Sequence, residues 1–213
     1  MWDFIRERQG ELAFAAYQHT SLVVQSVLLA TVIAIGLAVL VLAVPRLAGP
    51  ANAISAVGLT LPSFALLGLL LPFVGIGVLP SVIAVTFYAA LPILRNAVVG
   101  LQGVDGTLLE SARGMGMSPV RSMLQVQLPL AWPVILAGIR VSTQMSMGVA
   151  AVASYVLGPG LGSYIFSGLS QIGGANATNS ALVGTFGIVI LALILDGLLL
   201  LLGRLTTSKG IRV

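Results

Sequence analysis

The chain has 213 residues, 58% hydrophobic and only 8% charged. A soluble domain carries about 25% charged residues, so the composition excludes a water-soluble fold and describes an integral membrane protein. There is no cysteine, which excludes a disulfide framework, a thiol nucleophile and a Cys-based metal site. The net charge of +4 serves topology and lipid headgroups in such a protein, not nucleic acid.

Residues 1–19 mix Trp2, Asp3, Phe4, Arg6, Glu7, Arg8 and Glu11. They read as an interfacial amphipathic helix, with Trp2 and Tyr17 in the headgroup zone. The interspersed acids and the long apolar run that follows argue against a signal peptide. His19, the single histidine, is expected at the interface just before the first span.

The transmembrane body is expected over 20–213. A spanning helix needs about 20 apolar residues, and 21–44 supplies the first. The second covers 53–71, with Pro62 inside it. A charge-free turn over 73–80 leads to a third span, 81–94, bent by Pro92 and returned to water by Arg95 and Asn96. The fourth covers 130–152. A glycine-rich segment, 154–178, reads as an external or re-entrant loop, the fifth span covers 181–202, and 203–213 is a basic tail. The fold class is therefore all-α, about five spans plus an interfacial N-terminal helix.

Residues 105–129 are unlike their neighbours. They carry Asp105, Glu110, Arg113 and Arg121 among glycines and prolines. Asp105 or Thr107 is suited to cap a first short helix, and Thr107-x-x-Glu110 fits a capping box. Gly114 and Gly116 follow where a left-handed residue is wanted. Ser118-Pro119 opens a second helix, which Leu128-Pro129 is expected to close. The result is a water-exposed helical hairpin that fits a groove on a partner.

These residues also carry a family resemblance. Glu110-Ser111-Ala112, then Gly116, then Val126-x-Leu128-Pro129 resembles the EAA motif of ABC importer permeases at every spacing, with Ser111 and Val126 as substitutions. The flanking stretches LPSFALLGLLLPFVGIGVLP and LPLAWPVILAGIR resemble the osmoprotectant subfamily, whose substrates are glycine betaine, carnitine and choline. The resemblance implies a type I importer permease working by alternating access, without catalysis of its own. Its implied partners are ABC ATPase subunits that hold ATP and Mg, a second permease copy or similar chain, and an extracytoplasmic substrate-binding protein. The implied coupling residues are Glu110, Ser111, Ala112, Gly116, Met117, Ser118, Leu128 and Pro129. The same Glu110 also reads simply as a capping acid for its own helix.

Charge sets the expected orientation without reference to any family. Lys and Arg accumulate on cytoplasmic loops. With five spans, one side receives Arg46, Arg95, Arg113, Arg121, Arg204, Lys209 and Arg212, whereas the other receives Arg6 and Arg8 among three acids. The N-terminus is expected outside a bacterial plasma membrane, with the 105–129 loop and the C-terminus in the cytoplasm.

Within the spans, Arg140 and Asp196 are the ionisable residues, and such residues usually face the bundle interior or water. They are expected to face each other or a cavity, with snorkelling of Asp196 as the competing reading. Gln144 and Met147 share the helix face of Arg140 and either line a polar path or pack between helices. Tyr88, Thr86 and Ser142 are weaker candidates of the same kind. The spans show no tight aromatic cluster, which points to substrate choice by a separate binding protein. There is no HExxH, no P-loop and no G-x-S-x-G, so metal, ATP and hydrolase chemistry find no motif here. A secondary transporter, or a permease for an amino acid or for another trimethylated compound such as ergothioneine, are the rival readings.

Overall fold

The computed structural model describes residues 1–207. Lys209 and Arg212 of the expected basic tail lie outside the described residues. Every regular element among those described is helical.

The N-terminal helix α1 is short, Trp2–Glu7. The chain breaks at Arg8, not at His19, and α2 runs unbroken over Gln9–Ala43. No proline interrupts 9–43, so the polar early turns simply continue into the apolar ones. At 1.5 Å per residue α2 is about 50 Å long, more than a bilayer core of about 30 Å. Its buried face is a row of small and branched residues, Val23, Val27, Ala30, Ala34, Ala38 and Val41. Spaced three and four apart, they form one stripe, and small side chains there let α2 approach its neighbours closely.

His19 is enclosed by the protein and does not face its surroundings. It is fully buried, and its Nε2 lies 3.2 Å from the Met147 carbonyl. Gly160, at φ +125°, packs directly on it; a Cβ there would stand 2.6 Å from the imidazole Nδ1. The glycine-rich segment closes over it through Gly160.

The second apolar stretch is broken. A 3₁₀ turn and α3 (Ala48–Gly58) are followed by α4 (Ser63–Val74), and the two halves meet at 99°. Pro62 disfavours helical geometry at Leu61 before it, so the helix ends there instead of bending through. Backbone groups opened in a membrane need partners: the Tyr88 hydroxyl donates to the Leu61 carbonyl at 2.6 Å, and Thr60 Oγ1 donates to Val57 at 2.8 Å.

Helix α5 runs over Val78–Gln102, two turns past Arg95, with Pro92 inside it. After the hairpin, α8 covers Leu128–Ala153, α9 Gly162–Ser170 and α10 Ala177–Thr206. Helix α5 is the central element, packed between α2 and α8; the Ser142 hydroxyl on α8 donates to its Ala89 carbonyl at 2.7 Å. Among the described residues, four helices are long and apolar enough to cross a membrane, and five crossings result if the bent pair counts as one.

Candidate functional site

The hairpin is built largely by its caps. Helix α6 covers Gly106–Gly114. Asp105 Oδ1 accepts from the Thr107 amide at 2.9 Å, and that bond holds the Asp105 carboxyl below the usual carboxylate range. Asp105 is thus the cap, and the Thr107–Glu110 capping box does not form. Thr107 lies inside the helix, where its carbonyl accepts from the Ser111 hydroxyl at 2.8 Å.

The exit from α6 is a complete Schellman closure. The Gly116 amide donates to Arg113 at 2.9 Å and the Met117 amide to Ala112 at 3.1 Å. Gly116 has φ +78° with open space where a Cβ would be. Its glycine therefore serves a left-handed backbone, not a close approach of the two helices. Ser118 caps α7, Pro119–Ser122, by accepting from the Arg121 amide at 3.3 Å.

Leu128-Pro129 does not close this second helix. A π-helical turn, Met123–Gln127, joins α7 to α8, and the joined stretch Pro119–Val156 is one candidate span of 38 residues. Pro129 lacks an amide and its ring crowds the carbonyl four residues back. A wider turn just before it accommodates both without ending the helix.

Of the expected coupling residues, Glu110, Ser111, Gly116, Ser118 and Pro129 are exposed, while Met117 and Leu128 are half-buried and Ala112 is buried. The hairpin has an apolar hollow of about 740 Å³ on one side, between Leu109, Met117 and the end of α2. Beyond the motif, Leu108, Met115, Val120 and Leu124 are exposed, Met115 by 71%. Apolar side chains among Glu110, Arg113 and Arg121 make a mixed surface of the kind that binds protein. No spacing rule marks these four, because each is ordinary in a membrane chain until the fold turns it outward.

The two intramembrane charges meet. Arg140 Nε donates to Asp196 Oδ1 and Nη2 to Oδ2, both at 2.9 Å, a bidentate pair with side chains 31% and 18% exposed. Gln144, one turn further along α8, is exposed beside the pair. Asp196 therefore faces α8 instead of snorkelling. Met147 and Tyr88 lie elsewhere: Met147 is buried against the His19 turn, and the Tyr88 hydroxyl is spent on the broken stretch.

Aromatic rings also converge, one from the expected second span and two from the glycine-rich segment 154–178. Phe64 on α4, Tyr155 just after α8 and Phe166 on α9 form a group with ring centroids 5.3, 6.2 and 5.4 Å apart.

Residues 26–208 match the family model described as binding-protein-dependent transport system inner membrane component. The chain belongs to this family. It is 38% identical to the choline transport system permease protein OpuBB of Bacillus subtilis, over 98% of this chain and 94% of that one. It is likewise 38% identical to the osmoprotectant import permease protein OsmW of Salmonella typhimurium, over 98% of both chains. In fold it is similar to a chain from an inward-facing crystal form of the MetNI methionine ABC transporter, with a TM-score of 0.74 and 24% identity over 95% of this chain and 96% of that one. Family membership makes the chain a multi-pass membrane component of a transport system, and the hairpin is the place in it where the EAA-like residues gather.

Proposed function

We propose that this chain is the permease subunit of an ATP-driven importer for quaternary ammonium osmoprotectants such as choline, glycine betaine and carnitine. Two copies, or this chain and a similar one, enclose the path, and separate ATPase subunits grip the hairpin from the cytoplasm. A binding protein outside delivers the solute. The observation that carries the reading is the capped hairpin with its exposed Glu110 and Met115, in a chain whose relatives are named for choline and osmoprotectant transport.

The helix joining α7 to α8 supports a direct mechanism. A stretch of 38 residues at about 1.5 Å each is about 57 Å long. A push at Ser118 is transmitted along one body to Tyr155, with no loop between. The Arg140–Asp196 pair ties α10 to that body. ATP and the loaded binding protein shift the balance of inward-open and outward-open states by their difference in affinity for the two.

Two experiments test this. In vesicles holding the permease, its ATPase and its binding protein, labelled choline or glycine betaine accumulates only with ATP; accumulation driven by an ion gradient without ATP would overturn the reading. Because the chain has no native cysteine, Ser118→Cys reports orientation cleanly. An impermeant maleimide should label it in inside-out vesicles and not in intact cells; labelling of intact cells would remove the cytoplasmic ATPase dock.

A further inference from the structure

We infer that Phe64, Tyr155 and Phe166 form a contact site for the quaternary ammonium group of the solute at the outer end of the path. The inference rests on the proposed substrate class and orientation, and it assigns that class a place in this chain. The three rings come from α4, the turn after α8, and α9. They are mutually in contact, at 5.3–6.2 Å between centroids, in edge-to-face and tilted arrangements.

The group is not a closed core. Tyr155 is 65% and Phe64 48% exposed, so ring surface is left uncovered by the chain. Aromatic faces attract a cation within about 6 Å of the centroid, and quaternary ammonium is the cation best served, because it cannot be satisfied by hydrogen bonds. Tyr155 also has a specific place, in the turn that follows α8. Val141, Gln144 and Gly148 are exposed and, at spacings of three and four, follow one face of α8, while Tyr155 is exposed in the 3₁₀ turn Ser154–Val156 that comes directly after it. Nothing lies within 4 Å of the Cβ position of Gly148. This face is therefore open at Gly148 and polar at Gln144, next to the Arg140–Asp196 pair, and the aromatic group stands just past the end of the helix. A solute handed over from outside meets the rings first and the polar stretch second.

The test uses the assembled permease–ATPase complex in nanodiscs of phosphatidylethanolamine and phosphatidylglycerol, which carry no choline headgroups. Saturation-transfer NMR reads magnetisation passing from protein aromatic protons to the methyl protons of choline. We expect transfer in the wild type and a loss of at least threefold in Tyr155→Leu and in Phe166→Leu. Tyr155→Phe should retain it. The neutral isostere 3,3-dimethylbutan-1-ol should compete at least tenfold more weakly than choline. Phe64→Leu provides a third arm should either other leucine variant fail to assemble, judged by gel filtration with the ATPase. No transfer in the wild type, unchanged transfer in the leucine variants, or equal competition by the isostere would each overturn the site; equal competition would mark a merely greasy patch. These outcomes are separable from failure of the functional reading, in which the wild-type vesicles accumulate no quaternary ammonium compound at all.

Discussion

The Arg140–Asp196 pair yields the sharpest quantitative prediction. Replacing Asp196 by alanine leaves a guanidinium in the bundle without its carboxylate. Two charge-assisted hydrogen bonds are lost, and each contributes on the order of 1.5–3 kcal/mol when made to a charged group. The arginine is about a third exposed, so it recovers part of that by reorienting toward water or headgroups. A net cost of about 2 kcal/mol is expected, roughly a thirtyfold change in the folding equilibrium. The assay is a double-mutant cycle of Arg140→Ala, Asp196→Ala and the pair, each unfolded reversibly by SDS in mixed micelles. The double variant should cost clearly less than the sum of the singles, since the second truncation removes the orphaned charge. The exchanged pair, Arg140→Asp with Asp196→Arg, should recover part of what either single change loses. Strict additivity of the alanine changes, or a cost below about 0.5 kcal/mol for Asp196→Ala, would refute the argument that these charges depend on each other.

Three further outcomes follow from particular residues. Gly116→Val places a branched residue at φ +78°, where such residues are strained by about 1–2 kcal/mol. The variant should insert and assemble, yet hydrolyse ATP without accumulating solute. Gly116→Asn, which tolerates that backbone, should be much milder, and equal defects in both would place the cause elsewhere. Tyr88→Phe removes the donor to Leu61 and should lower stability by about 1–2 kcal/mol in the same micelle titration; an unchanged midpoint would mean that the break needs no internal partner. For Asp105, the folded-state pKa lies below the ordinary value of 3.8, so its capping contribution is complete above that value. It fades as pH falls through the lower folded value. Amide exchange, corrected for its intrinsic pH dependence, should show Thr107 losing protection on acidification below that window and in Asp105→Ala at neutral pH; protection unchanged in both would contradict the cap.

Much of this could be read from the chain because a membrane simplifies the code. Apolar runs located the crossings, and the water-exposed hairpin stood out as the one long polar interruption. Arg140 and Asp196 were legible as candidates to meet because intramembrane charges are costly, although the sequence put them several Å apart in depth and left snorkelling of Asp196 as a rival. What stayed hidden depended on competition between local signals, or on distance. Thr107-x-x-Glu110 and Asp105 offered rival caps, and the sequence held no measure of which amide each would reach. Pro62 announced a perturbation but not a corner of 99°. The π turn before Pro129 has no compositional mark. His19 looked interfacial from its neighbours, yet Gly160 and Met147, far along the chain, bury it. Phe64, Tyr155 and Phe166 are separated by up to a hundred positions, and only the packing of α4 and α9 beside the end of α8 gathers them.

Helix α10 has a practical consequence. Beyond Ile188 it contributes no fully buried side chain, although the helix runs on through Thr206, about 27 Å further. Over that length it is tied to α8 through Asp196 and through the Trp132 indole, which donates to the Thr206 hydroxyl at 2.7 Å. Leu191, Ala192, Leu195 and Leu199 also pack partly against the core, and the exposed remainder, Leu193, Ile194, Leu198, Leu201 and Leu205 among it, is finished by what surrounds the chain, lipid or a neighbouring subunit. Harsh short-chain detergents should loosen α10 before they disturb the α2–α5–α8 core, and a purification that keeps bound lipid preserves a more nearly complete molecule.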